Sequence, residues 1–80
     1  MNYLDKINEI IRALANNNEL DVSKEIEELK LSASTSTELL MSITFKLKQL
    51  IENNNEISKL IEKDVLELLN YCRSIGLNIK

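Results

Sequence analysis

The side chains capable of chemistry in this chain are mainly carboxylates and ammonium groups, with one cysteine and no histidine. Histidine is the commonest general base, and zinc sites are built from clusters of Cys and His. The cysteine, Cys72, falls on the apolar side of a predicted helix near its C-terminal end, where no helix N-terminus can activate the thiol. The single glycine excludes a glycine-rich phosphate loop. We therefore expect Cys72 in the core and a protein that is not an enzyme, with no catalytic residue, cofactor or metal.

Five of the six residues at positions 32–37 are serine or threonine, and this stretch allows two interpretations. Hydroxyls and backbone N–H groups at the start of a helix can bind an anion. Thr35 followed three residues later by Glu38 is also the pattern of a capping box, in which a hydroxyl accepts a hydrogen bond from the backbone. The second interpretation predicts a connector whose hydroxyls only begin the next helix, and it is the one that we favour.

Acidic residues follow one face of the second predicted helix. Asp21, Glu25 and Glu28 are spaced by four and then three residues, which places them on one side of a helix. The only lysine near that side is Lys24, at its margin. The stripe is either a solvated surface or a docking surface for a basic protein, where complementary charge speeds the encounter.

The elements that position these residues are helices. The chain has no proline and one glycine, and its apolar residues recur at spacings of three and four. Two runs of three asparagines interrupt this apolar pattern and predict tight turns. Gly76 predicts a helix C-terminal cap, with Leu77 folding back on the last turn. We expect an all-α fold, an antiparallel four-helix bundle built from two helical hairpins in a single domain, with helices at about 2–15, 19–31, 36–53 and 56–75.

Composition and charge narrow the classes of partner. A chain with 44% hydrophobic and 29% charged residues has a globular balance. Residues 1–40 carry eight acids and four bases, net −4, and residues 41–80 carry five acids and six bases, net +1, so the total is −3. This charge disfavours nucleic acid or an anionic membrane as the main partner. No apolar run approaches the roughly 20 residues of a membrane span, and no signal peptide is visible, so we expect a cytoplasmic protein.

Two apolar residues on the third predicted helix lie outside its apolar stripe. At about 100° per residue the stripe covers about 120°, whereas Met41 and Phe45 lie about 200° and 240° from its first residue, Leu39. They are one turn apart, and Phe45 is the only phenylalanine. Either another part of the chain covers them or they belong to a partner or dimer surface, where Met and aromatic residues are enriched. Leu66 lies similarly off the stripe of the fourth helix.

The third helix and its approach carry a resemblance to a known group of proteins. The run STSTELLM at 34–41, continued by SITFKLK at 42–48, resembles a segment of small all-helical bacterial proteins. These are the immunity proteins of polymorphic toxin systems, including contact-dependent growth inhibition, and the similarity covers about residues 14–51. The resemblance implies an all-helical protein that binds a toxin domain tightly and neutralises it.

Two hypotheses about function follow. The first is an immunity protein that binds a cognate, basic toxin domain, with Asp21, Glu25 and Glu28 steering the encounter and Met41 and Phe45 anchoring the complex. The second is a small helical adaptor or homodimer without a toxin partner, in which the patch around Phe45 pairs with itself.

Overall fold

The computed structural model of the protein describes residues 2–79, which form four α-helices. The all-α prediction is confirmed, and every helix boundary lies within one residue of the predicted position. The helices are α1 (Tyr3–Asn16), α2 (Leu20–Ser32), α3 (Ser36–Asn53) and α4 (Asn55–Ser74).

Side-chain caps begin three of the helices. The Oδ1 atom of Asn2 accepts hydrogen bonds from the first turn of α1, and Oδ1 of Asn54 does the same for α4. Thr35 Oγ1 accepts from the Glu38 N–H at 3.1 Å, so the hydroxyl half of the predicted capping box is formed. These caps satisfy N–H groups that have no partner within the helix. The hydroxyl of Thr35 therefore has a structural role. The remaining helix, α2, has Glu19 at its N-cap position and no side-chain cap.

Two helices, α1 and α4, are followed by turns in which one residue has a left-handed backbone conformation. Asn18 has a φ of 65° and Gly76 a φ of 84°, the region that glycine and asparagine adopt most easily. After each, a backbone N–H reaches back over the last turn: Glu19 donates to Leu14 at 2.9 Å and Leu77 to Cys72 at 2.8 Å. This is the Schellman pattern, and it confirms the predicted cap at Gly76 with Leu77 folded back.

Each helix packs against the next one in the chain, and α1 also packs against α4, so the four helices form a closed ring. Short connections make consecutive helices antiparallel. Contacts between distant residues agree with this arrangement, because Tyr3 at the start of α1 stacks on Tyr71 at the end of α4, with ring centroids 5.8 Å apart. The bundle measures 33 × 22 × 21 Å.

Branched aliphatic side chains fill the centre of the bundle. Two buried polar groups have partners: Ser23 Oγ donates to the Ile11 carbonyl at 3.2 Å, and Thr44 Oγ1 lies 3.6 Å from Cys72 Sγ. Cys72 is completely buried, which confirms its predicted core position. The apolar core consists of Ile7, Ile10, Leu14, Ile26, Leu40, Ile43, Leu47, Ile57, Ile61, Val65, Leu68, Leu69 and Cys72.

Candidate protein-binding surface

The outer side of α3 carries the two apolar residues that the helical pattern singled out. Met41 is 42% exposed and Phe45 is 44% exposed, whereas Ile43 and Leu47 on the inner side are completely buried. The chain therefore covers about half of each outer side chain and leaves the rest accessible. The same helix presents one apolar surface to its own core and a second, smaller one outward.

The segment after α4 forms one wall of a groove beside these residues. The turn at Gly76 redirects the chain, and Leu77 and Ile79 are partly buried against the core. Between this segment and α3 lies a groove of about 400 Å³, lined mainly by apolar atoms. We call it the apolar groove; its lining residues are Met41, Ser42, Phe45, Asn78 and Ile79.

A second groove lies where α3 faces α2. It has a volume of about 490 Å³, and we call it the acidic groove; its lining residues are Glu25, Glu28, Leu29, Ser32 and Lys46. Lys46 Nζ approaches Glu25 Oε2 at 3.0 Å. The expectation that only Lys24 adjoins the acidic stripe was therefore wrong, because a lysine of the neighbouring helix reaches it. That lysine is far away in sequence and could not be placed on the stripe without the packing of α2 on α3.

The structure brings together four of the five residues predicted to bind a partner. Glu25 and Glu28 line the acidic groove, Met41 and Phe45 line the apolar groove, and α3 separates the two. Asp21 is exposed in the first turn of α2 and lines neither groove. It lies one turn from Glu25, so it adds to the acidic stripe without belonging to either groove.

No family model, curated protein sequence or solved structure matches this chain. The candidate surface is accordingly defined by its own geometry, and the immunity-protein assignment stays a prediction from the resemblance over residues 14–51.

The strongest electrostatic feature is one that the sequence did not predict. Lys6 Nζ lies 2.6 Å from Glu67 Oε2 and 3.1 Å from Asp64 Oδ1, which joins α1 to α4. The hydrogen bonds that Lys6 donates to the carboxylates of Glu67 and Asp64 raise the pKa of Lys6 above its ordinary value, and the same interaction lowers the pKa of Glu67. The cluster lies on a different pair of helices from the two grooves. It stabilises the packing of α1 on α4 and takes no part in the candidate surface.

Other features of the described chain offer weaker sites. Leu66, predicted to be off the stripe of α4, is 49% exposed, and neither groove includes it. Among residues 2–79, no three Cys, Asp or Glu side chains converge to hold a metal ion. No helix in that range combines the length and the apolar composition needed to cross a bilayer. The surface around residues 41–46 of α3 is therefore the best-formed candidate site.

Proposed function

We propose that this protein is a bacterial immunity protein that binds a cognate toxin domain in the cytoplasm and neutralises it by covering a surface that the toxin needs. The observation that carries the proposal is the outward position of Met41 and Phe45 on α3, opposite the core residues of the same helix. Their position beside a groove suits a contact with a protein better than it suits solvent.

Energetics favour a protein partner for this surface. Completing the burial of a half-exposed large apolar side chain contributes about 1 kcal/mol. Two such residues at the centre of an interface, surrounded by polar contacts that exclude water, form the kind of cluster that dominates binding energy. A standard interface buries about 800 Å² on each partner, roughly a sixth of the 5050 Å² surface of the described chain. A contact of ordinary size would therefore occupy most of one side of the bundle.

Charge and composition support neutralisation by binding and not by catalysis. The net charge of −3 and the acidic stripe of α2 suit a basic partner, whose approach they would accelerate. A chain without histidine lacks the usual general base. Occlusion of a toxin needs no reactive group, only a stable surface that is complementary to the toxin.

The direct test is protection of a cell. The proposal predicts a large toxin-bearing reading frame immediately upstream of this gene. The C-terminal domain that it encodes would be expressed from an inducible promoter, with or without this chain. We expect the domain to stop growth alone and to be harmless when this chain is co-expressed. A toxic domain that this chain does not neutralise, or the lack of any toxin-bearing reading frame upstream, would contradict the proposal.

Matched variants connect the protection to the candidate surface. Phe45→Glu should abolish protection at low expression, whereas Leu66→Glu changes an equally exposed apolar residue on α4 and should leave protection intact. Thermal unfolding of both variants checks that each is folded. Equal protection by the two variants would show that protection does not depend on the outer side of α3.

The homodimer hypothesis predicts a different result in solution, because it uses the same apolar residues for self-association. Size-exclusion chromatography with light scattering would give the mass of the wild type and of Phe45→Glu. A wild-type dimer of 18.4 kDa (twice the 9.2 kDa chain) that becomes a monomer on substitution would favour the adaptor or homodimer. A monomer in both cases agrees with the immunity proposal.

A further inference from the structure

We propose that the two grooves flanking α3 are one bipartite docking site for a protein segment that carries a large apolar side chain and a Lys or Arg about 10 Å apart. The apolar side chain enters the apolar groove against Phe45 and Ile79, and the cation enters the acidic groove between Glu25 and Glu28. The inference rests on the proposed function only in taking the partner to be a protein. It does not require that the partner be a toxin.

The apolar half of the site depends on the end of the chain. Ile79 is partly buried against the core, so its main chain is held beside α3 while part of its side chain faces the groove. Met41 and Phe45 form the opposite wall and are less than half exposed. A partner side chain placed between these walls would contact all three residues. This gives the C-terminal segment, which no sequence pattern assigned to binding, a direct part in recognition.

The acidic half combines a charged rim with an apolar wall. Leu29 contributes the apolar atoms, and Glu25 and Glu28 lie one turn apart on the rim. Lysine and arginine bind in this manner, with the aliphatic stem on apolar surface and the charged group on carboxylates. Within residues 2–79, Lys46 is the cation that pairs with Glu25, and no cation pairs with Glu28. A partner cation would therefore bind Glu28 and compete with Lys46 for Glu25.

The spacing of the two halves follows from the helix that separates them. Lys46 lies on the side of α3 that faces α2, Met41 lies toward the C-terminal segment, and Ser42 and Phe45 lie between them on the outward side. A helix with its side chains is about 10 Å across, so the grooves are separated by a similar distance. Two side chains on the same face of a partner segment are about that far apart when they are about seven residues apart in a helix, or two to four residues apart in a strand, where alternate residues share a face.

Charge decides between a different protein and a second copy of this chain. A second copy has a net charge of −3 and an identical acidic groove. In a twofold contact through α3, each acidic groove would face either the second copy's acidic groove, which repels it, or its apolar groove, and among the lining residues of the two grooves Lys46 is the only cation. A basic protein has no such repulsion. The occupant that fits both halves of the site is therefore a partner with basic residues around an exposed apolar one.

A peptide selection tests this inference without the toxin. The full chain, attached through its N-terminus, would be presented to a displayed library of random 12-residue peptides. We expect the enriched peptides to carry Leu, Ile, Met or Phe two, four or seven positions from Lys or Arg. Phe45→Glu, Ile79→Ser and the double variant Glu25→Gln/Glu28→Gln should each weaken a selected peptide at least tenfold, whereas Leu66→Ser should stay within twofold of the wild type.

Lys46→Met provides a sharper test of the acidic groove. Removing the internal competitor should strengthen peptide binding several-fold, and the gain should vanish when the peptide's basic residue is replaced by Gln. Enriched peptides without a basic residue, equal binding to Phe45→Glu and Leu66→Ser, or weaker binding to Lys46→Met would each overturn the inference. A wild-type dimer that Phe45→Glu dissociates would overturn it too, because the second copy would be the occupant. Since no toxin is used, failure here leaves the protection experiment unaffected, and failure of protection leaves this result unaffected.

Discussion

The α1–α4 interface and the α2–α3 interface differ in how completely they are closed. Between α1 and α4, Lys6 joins Glu67 and Asp64, and Tyr3 stacks on Tyr71. Between α2 and α3 there is a groove of about 490 Å³ bridged by a single ion pair, Lys46 with Glu25. Side-chain contacts join the two helices of the first interface, whereas the second leaves polar and apolar groups accessible to another molecule. The bundle thus has a closed side and an open side.

The helices of these two interfaces also contribute unequally to the core. α4 buries six residues, whereas α2 buries two, and one of these is the polar Ser23. A helix with little buried apolar surface gains less from packing, which is the main source of helix stability in proteins. We infer that α2 can adjust its position at lower cost than α4. An adjustable wall suits a groove that must close around a partner side chain.

The largest expected effect on stability separates the inner and outer sides of α3. Leu47→Ala removes a completely buried side chain and should lower the free energy of unfolding by about 2–5 kcal/mol. Phe45→Ala removes a half-exposed ring and should cost about 1 kcal/mol or less. Urea unfolding followed by circular dichroism gives both values. A loss for Phe45→Ala as large as that for Leu47→Ala would mean that Phe45 is a core residue.

The next effect compares the ion pairs of the two interfaces. Lys6→Met leaves the carboxylates of Asp64 and Glu67 without their shared cation, so the melting temperature should fall clearly. Lys46→Met removes one partly exposed pair, which contributes about 0–1 kcal/mol. Thermal unfolding at pH 7 and low salt measures both. If the melting temperature fell equally in both variants, or fell further in Lys46→Met, the distinction between a closed and an open interface would be contradicted.

A smaller effect is expected from pH. The pKa of Glu67 is lower in the folded protein than its ordinary value of 4.5, so its stabilising contribution is complete above pH 4.5 and is lost as the pH falls through the folded pKa. The pKa of Lys6 is raised, so that contribution is complete below pH 10.5 and is lost at more alkaline pH. Urea unfolding between pH 7 and pH 3 should show a decline that is shallower in Glu67→Gln. If the wild type and Glu67→Gln lost stability identically as the pH fell, the ion pair between Lys6 and Glu67 would not stabilise the closed interface.

The smallest effect concerns local opening of the free protein. Backbone amides of α2 around Ile26 should exchange hydrogen faster than those of α4 around Val65, although both side chains are completely buried. Exchange measured by NMR on the wild type would rank the helices directly. If α2 were protected as strongly as α4, the groove between α2 and α3 would have to be rigid, and the adjustment that we infer would be excluded.

The sequence was sufficient for the helices and insufficient for the pairs between them. Apolar spacing and the breaks at Asn18 and Gly76 determine local structure, so the helix boundaries could be predicted to within one residue. The rotation of each helix about its axis depends on the packing of all four. For that reason the contact between Lys6 on the first helix and Glu67 on the last could not be predicted.

The candidate site was predictable in part for the same reason. Met41 and Phe45 were identified from one helix alone, because helical geometry separates them from the apolar stripe. The sequence did not place Lys46 beside the acidic stripe or Ile79 beside Met41 and Phe45, because each of these residues comes from a neighbouring element. The parts of a surface that come from one helix can be predicted from sequence, whereas the walls of a groove between elements require the fold.

The central claim is that a protein partner binds the outer side of α3, and hydrogen–deuterium exchange on the complex tests it most directly. This chain would be compared alone and bound to the toxin domain from the protection experiment. We predict slower exchange on binding in residues 41–46 of α3, 25–32 of α2 and 77–79 of the C-terminal segment, with α1 and the middle of α4 unchanged. Slower exchange around Lys6 and Leu66, with residues 41–46 unaffected, would contradict the account.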